Sequence, residues 1–402
     1  MTFAAGSKAF SRAFTETLGA HFAGVGGIIA GFIVAWQLNV FQYFPWAIAV
    51  YPTVLTAKSV ISGLFSGRLN TALHIGTVSP SFSGNMMILH KLFQPILAIT
   101  LTTSFVMSVF SMVFGGIFWG ITFADFPSIL VVVLATMNLG LTLYVFTLAM
   151  TFSAFKKGLD LDSVAYPIIA TVADIFITVC YALMLYLFSS FNDLGRYSVL
   201  VVAVLPAIFM LYTLPRNVHE EGFVKTLKAS ILALMFVAVI ANVTGTVLQR
   251  ISAITSNGKE IFAVYPALLE LMGDAGFVVS STATTRLALG LLKPEFSAMK
   301  DHALQIVGAW TASAVALTFC SALVLFIVGT FDLSAFSVFA SLLLMTNVIA
   351  AVGIIIVSYA LAVLTFQKGL DSDHFVVPIE SSLAGVITST ALLAASLLIR
   401  LV

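Results

Sequence analysis

The sequence predicts an all-α polytopic membrane protein, with eleven spanning helices arranged as two parallel five-helix repeats joined by one linking helix. Three observations carry that expectation. Of the 402 residues, 60% are hydrophobic and 9% charged, with a mean hydropathy of +1.10, whereas an average soluble domain is about half apolar and about a quarter charged. Apolar runs of about 20 residues, the length that crosses the hydrocarbon core as a helix, recur eleven times. A motif containing two aspartates and a proline occurs twice, once in each half of the chain.

The apolar runs lie near 18–43, 47–75, 92–120, 127–154, 164–190, 197–214, 227–249, 262–291, 303–330, 335–365 and 376–400. Their aromatic and glycine interruptions lack the strict alternation of an outer-membrane barrel strand. Connections are short, and the longest polar insert runs from Arg216 to Lys228. Cys180 and Cys320 both sit inside apolar runs, which excludes a disulfide scaffold. A net charge of +1 carries no nucleic-acid footprint. The first 17 residues, with Phe3, Phe10 and Phe14 beside Lys8 and Arg12, read as an interfacial amphipathic helix rather than a transit peptide. Gly24, Gly26, Gly27 and Gly31, and again Gly116 and Gly120, offer small-residue packing faces.

Orientation follows the distribution of Lys and Arg. With the N-terminus in the cytoplasm, thirteen basic residues fall on the inner side and four (Arg196, Arg250, Lys259 and Arg400) outside, with Lys58 inside a span. The chain therefore reads as N-in and C-out.

The motif Phe155-Lys-Lys-Gly-Leu-Asp160-Leu-Asp162-Ser-Val-Ala-Tyr-Pro167 returns as Phe366-Gln-Lys-Gly-Leu-Asp371-Ser-Asp373-His-Phe-Val-Val-Pro378, with seven of thirteen positions identical. Tyr51-Pro52 likewise returns as Tyr265-Pro266. Two five-span repeats result, residues 1–192 and 217–402, with residues 193–216 as the linking transmembrane helix. Both motif copies carry Lys at the inner end, so the repeats are parallel, and five spans then require one extra helix to bring the chain back across.

Charge inside a bilayer costs several kcal/mol and asks for a partner or a function. Asp174 falls near the midplane of the fifth span, with Thr171 and Pro167 on its helical face. It reads as a cation site, or as a protonated side chain hydrogen-bonded between helices. Glu270 and Asp274 stand one turn apart on the eighth span, where they repel unless a cation or proton lies between them. The competing reading pairs Glu270 with Lys58. Glu380 lies nearer the inner end of the eleventh span, and the motif places Gly385 opposite Asp174. Asp160, Asp162, Asp371 and Asp373 form two acidic pairs at an inner mouth, as helix caps, as an electrostatic lure for cations, or as both. Carboxylates with hydroxyls and backbone oxygens, without clustered Cys or His, suit a hard dication such as Mg²⁺ or Ca²⁺. His74, His90, His302 and the other histidines read as surface or interfacial.

These residues resemble a known family. Pro266-Ala-Leu-Leu-Glu-Leu-Met-Gly273-Asp274-Ala-Gly276, followed by Arg286-Leu-Ala-Leu-Gly290, resembles the membrane domain of MgtE magnesium channels. Pro52, Lys58 and Arg68-Leu-Asn-Thr-Ala-Leu-His-Ile-Gly76 look like solute carrier family 41, whose members fuse two MgtE-type halves. The resemblance implies a Mg²⁺ pathway at a pseudo-twofold interface, with Asp174 as the pore aspartate and Asp274 at a pore-lining asparagine position. Gly385 departs from it, as do Ser59 and Val60 where a Gly-Asn pair is expected. MgtE's cytosolic magnesium-sensing domains are missing.

The leading expectation is therefore a divalent cation transporter of the cell membrane, for Mg²⁺, with Asp174, Thr171, Asp274, Glu270 and Glu380 as metal residues. It needs no cofactor, meets lipid but no nucleic acid, and is complete as a monomeric pseudo-dimer. The alternatives are transport or exchange of Mn²⁺, Co²⁺ or Ca²⁺, with or without Na⁺ coupling, and a non-transporting metal sensor. An intramembrane aspartyl protease is disfavoured, because Gly-x-Gly-Asp and Tyr-Asp are both absent.

Overall fold

The computed structural model describes the backbone over residues 3–82, 86–158, 166–190, 193–217, 221–255, 258–368 and 372–401. Side chains are described over 8–82, 93–158, 168–190, 193–212, 234–255, 258–368 and 379–399. Among the described residues there is no strand. The helices are α1 (Phe3–Gly24), α2 (Gly27–Trp36), α3 (Leu38–Tyr43), α4 (Ala47–His74), α5 (Met86–Phe114), α6 (Phe126–Gly140), α7 (Leu143–Lys156), α8 (Tyr166–Ser189), α9 (Asp193–Asn217), α10 (Glu221–Ile254), α11 (Lys259–Ala288), α12 (Ala303–Val328), α13 (Leu333–Lys368) and α14 (Ser372–Leu401).

Among the described residues, eleven helical stretches are long and apolar enough to cross a membrane. This is the number expected from the sequence. The first, Lys8–Trp36, joins α1 and α2, and the fourth, Phe123–Lys156, joins α6 and α7. All-round apolarity is what a helix needs when one face meets lipid and the other meets protein.

The chain divides into two compact units. The first is Met1–Trp36 with Arg250–Val402, and the second is Gln37–Gln249. Each unit thus takes its leading helix from the other sequence half: α1 and α2 join α11 to α14, while α10 joins α3 to α9.

In the first unit, α1 packs along α12. Ala13, Thr17 and His21 recur every four residues and are buried. Gly308 lets the α1 backbone come close, for a Cβ there would stand 2.7 Å from the Phe10 carbonyl oxygen. The interfacial helix expected over the first 17 residues is therefore not separate. It continues to Gly24 and forms part of the first candidate span.

The α2–α11 contact rests on Gly31. Pro266 has no N–H to give the carbonyl four residues earlier. Gly31 places bare backbone against that turn, where any Cβ would collide with the carbonyl oxygens of Phe262 and Ala263. The second unit repeats the device. Gly245 of α10 lies against the Ala49 carbonyl of α4, ahead of Pro52. Gly245 and Ala263 stand 214 positions after Gly31 and Ala49, the same offset that separates Tyr51-Pro52 from Tyr265-Pro266. Gly116 and Gly120, expected to pack likewise, have nothing within 4 Å, and Gly120 instead ends a π-helical turn with φ 69°.

Helix α9 packs against α5, α6 and α8, yet most of its described residues are exposed or half-buried. Leu194, Tyr197, Leu205, Ile208 and Leu211 are exposed apolar side chains, as a lipid-facing helix requires. Pro206 frees the Val202 carbonyl. The buried Asn138 of α6 supplies the missing donor, with Nδ2 at 3.1 Å from Val202 O and 3.0 Å from Ala203 O.

Candidate cation site

The second unit contains Asp174 and Thr171 on α8, which packs against α4. Polar contacts join the two helices in antiparallel order. Tyr181 Oη donates to Ala47 O at 2.8 Å. Tyr51 Oη and Thr178 Oγ1 share a hydrogen bond of 3.0 Å. Lys58 Nζ lies 2.6 Å from Asp174 Oδ1 and 3.2 Å from Ala170 O. Both charged side chains are buried, at 5% and 12% exposure. Thr171, one turn before Asp174, is buried as well.

Asp174 is thus neither a bare carboxylate nor simply hydrogen-bonded between helices. It holds the ammonium of Lys58. The pairing of Lys58 with Glu270 is corrected accordingly, because Lys58 directs its hydrogen bonds to Asp174 and Ala170. At about 1.5 Å per residue, Asp174 stands roughly 12 Å from Tyr166 and roughly 22 Å from Ser189 along α8.

The first unit carries the other described candidate carboxylates, Glu270, Asp274 and Glu380, which lie on two separate flanks of α11. Glu270 and Asp274 face the junction of α1 and α2, where Gly24 and Gly27 leave room. A Cβ at Gly24 would lie 3.5 Å from Asp274 Oδ2, and one at Gly27 3.0 Å from Glu270 Oε2. His21 of α1 completes this group, with Nδ1 3.5 Å from Asp274 Oδ2 and Nε2 2.9 Å from Ser313 Oγ. Asp274 remains partly open at 32% exposure, while His21 is sealed.

Glu380 of α14 meets a different flank of α11. Ser280 Oγ donates to its Oε2 at 2.9 Å, and Gly276 and Ser358 lie beside Oε1. The expected partial replacement of Asp174 by Glu380 therefore places it against α11 and α13. Among the described residues no group of three or more His, Cys, Asp or Glu side chains forms a metal cluster.

Asp160, Asp162 and Asp371 lie outside the described residues, as does the side chain of Asp373. The reading of the histidines is corrected at two positions. His21 is buried, and so is His302, which lies 3.2 Å from Val279 O through Nε2 and 3.2 Å from Arg286 Nη1 through Nδ1. Only a donating Nε2–H and an accepting Nδ1 satisfy both neighbours. The four-residue recurrence of Ala13, Thr17 and His21 was the available signal for His21. No spacing pointed to His302.

One set of contacts recurs at the offsets of the duplicated sequence motifs. Tyr265 Oη and Ser389 Oγ share a hydrogen bond of 2.8 Å, matching Tyr51 and Thr178 at offsets of 214 and 211. Thr178 Oγ1 donates to Asp174 O, and Ser389 Oγ donates to Gly385 O. In this register Lys58 corresponds to Met272 and Asp174 to Gly385, so the first unit lacks both members of the ion pair.

No curated protein and no solved structure matches the chain. Residues 51–184, which hold Lys58, Thr171 and Asp174, match the MgtE family model, described as a divalent cation transporter, and the eleven candidate membrane helices fit a fused two-repeat form of such a domain.

Proposed function

We propose that this protein moves divalent cations across a cell membrane, Mg²⁺ first among them, with Asp174 as the central ion-binding carboxylate. Glu270, Asp274 and Glu380 contribute negative charge, Thr171 a hydroxyl, and Asp160, Asp162, Asp371 and Asp373 the inner mouth. The pathway follows the pseudo-twofold axis implied by the repeat of 1–192 and 217–402, and the chain runs N-in and C-out. The thirteen-to-four bias of Lys and Arg supports that orientation. No step of covalent chemistry is required of any residue, in keeping with a transporter family.

The observation that carries this reading is Asp174 itself. It is a carboxylate inside a candidate membrane helix, within the matched segment, and it holds a positive nitrogen 2.6 Å from Oδ1. A position that stabilises a cation in an apolar surround has the chemistry an ion pathway needs. A carboxylate with a hydroxyl one turn away suits Mg²⁺, which sheds its water reluctantly and is gripped through it.

The test is Mg²⁺ influx into proteoliposomes for Asp174→Asn, assayed alone and with Lys58→Met so that no unpaired lysine remains buried. Both variants should lose flux while remaining monodisperse. Flux at the native rate in either would refute the assignment. A second reading, ion exchange, is favoured by the asymmetry of the repeat, since Met272 and Gly385 stand where Lys58 and Asp174 stand in the other copy. Flux that depends on an opposing Na⁺ gradient would select it.

A further inference from the structure

The ammonium of Lys58 occupies the place of an ion. Its nitrogen has one carboxylate oxygen at 2.6 Å and one backbone carbonyl oxygen at 3.2 Å. Those are the oxygen types that hold a hard cation. A charged nitrogen is costly to bury, and burying this pair is no obvious source of net stability, because desolvation offsets most of the attraction.

The other repeat shows that the fold does not need the pair. In the first unit the tyrosine–hydroxyl contact is kept between α11 and α14 at 2.8 Å. The glycine-on-carbonyl contact is kept as well. Yet Met272 fills the position of Lys58, buried at 1% exposure, and Gly385 fills that of Asp174. The two charges are absent together. Lys58 therefore answers to the charge of Asp174 rather than to a packing demand of the repeat.

We infer that Lys58 is a tethered counter-ion: its ammonium fills the Asp174 site when no metal is there and must be displaced by the transported cation. This rests on the reading of Asp174 as the ion-binding carboxylate. Displacement makes Lys58 a competitor, so the affinity of the site for an ion is set against the affinity of the site for its own lysine. It also makes Lys58 a filter. A monovalent ion offers Asp174 no more charge than the ammonium it would have to expel, whereas a dication offers twice as much. The empty site stays neutral, which spares the protein a bare carboxylate in the membrane between transport cycles.

The experiment compares Mg²⁺ binding by calorimetry, using the full chain in nanodiscs, for the native protein, Lys58→Met, Lys58→Arg, Asp174→Asn and the double variant Lys58→Met/Asp174→Gly. The double variant copies the pair that the other repeat uses. Lys58→Met should bind Mg²⁺ at least about tenfold more tightly, within the range of coupling between ligands that exclude one another. It should also gain sensitivity to Na⁺, which the native site resists. Lys58→Arg keeps the charge pair and so the fold. Its planar fork grips a carboxylate through two parallel bonds, so it should bind Mg²⁺ several-fold more weakly. The double variant should fold and lose this binding. Unchanged affinity in both Lys58→Met and Lys58→Arg overturns the inference and leaves Lys58 a structural partner. Should Lys58→Met fail to fold, Lys58→Arg decides alone: weaker binding supports competition, and native affinity refutes it. Native affinity in Asp174→Asn would instead sink the reading of Asp174, so the two failures are separable.

Discussion

At the scale of single residues, the ion pair of Lys58 and Asp174 was half legible. The sequence places two opposite charges inside apolar runs, and each asks for a partner. It does not say which partner, because α4 and α8 are brought together by side chains more than a hundred positions apart. His21 and Asp274 escaped for the same reason, with α1 and α11 lying even further apart along the chain. Breaking the pair from one side should be more harmful than removing it whole. Asp174→Asn leaves a buried ammonium without its counter-charge, and the expected loss is about 3–5 kcal/mol. Lys58→Met/Asp174→Gly should recover most of that loss. Thermal unfolding in detergent measures both, and a double variant no more stable than Asp174→Asn would contradict the argument.

At the scale of elements, helix–helix contacts rest on small residues and single hydrogen bonds, as expected where lipid gives no hydrophobic drive between helices. Gly31→Leu and Gly245→Leu each force a side chain into a backbone carbonyl. Each should cost about 1–3 kcal/mol or more by overpacking. Gly67→Ala in α4 has nothing within 4 Å of the new methyl. It should instead add about 0.5–1 kcal/mol of helix stability. A thermal-shift series separates these opposite signs. Tyr51→Phe and Tyr265→Phe each remove one buried hydrogen bond, at a cost of about 1 kcal/mol. Because the two contacts are copies of one design, their costs should agree closely.

The start of α13 gives a pH-dependent case. Asp332 accepts from Ser334 Oγ at 2.6 Å and from the Ala335 N–H at 2.8 Å, which lowers its pKa below the usual carboxylate range. A carboxylate with a depressed folded-state value contributes stability above the unfolded value and loses it as the pH falls through the folded one. Amide protection at the first turn of α13, measured against the intrinsic exchange rate at each pH, should therefore fall as the pH drops below about 4. In Asp332→Ala it should be low throughout, with no such step.

At the scale of the whole molecule, the helical class and the eleven spans were readable because length and apolarity fix them locally. The duplicated motif was readable because it keeps charged and helix-breaking residues. The composition of the two compact units was not. A repeat search divides the chain where the copies meet, whereas packing assigns α1 and α2 to the helices of the second copy and most of α10 to those of the first. The signal was present in Gly31 and Gly245, which share the offset of the tyrosine–proline pairs, but a glycine says only that some backbone approaches it, not which one. The proposed N-in, C-out topology predicts that a cysteine placed at position 2 is labelled by an impermeant thiol reagent only after the membrane is opened, and one at position 402 without opening it. The reverse pattern would overturn the orientation.

The central claim is that a carboxylate on α8 passes a divalent cation through the membrane. Magnesium entry into sealed liposomes, followed with an entrapped indicator, tests it most directly. Native protein should carry Mg²⁺ at a rate that saturates with its concentration, and Asp174→Asn with Lys58→Met should sit at the level of empty liposomes. Equal entry by both proteins, or no entry by either above empty liposomes, would contradict the account.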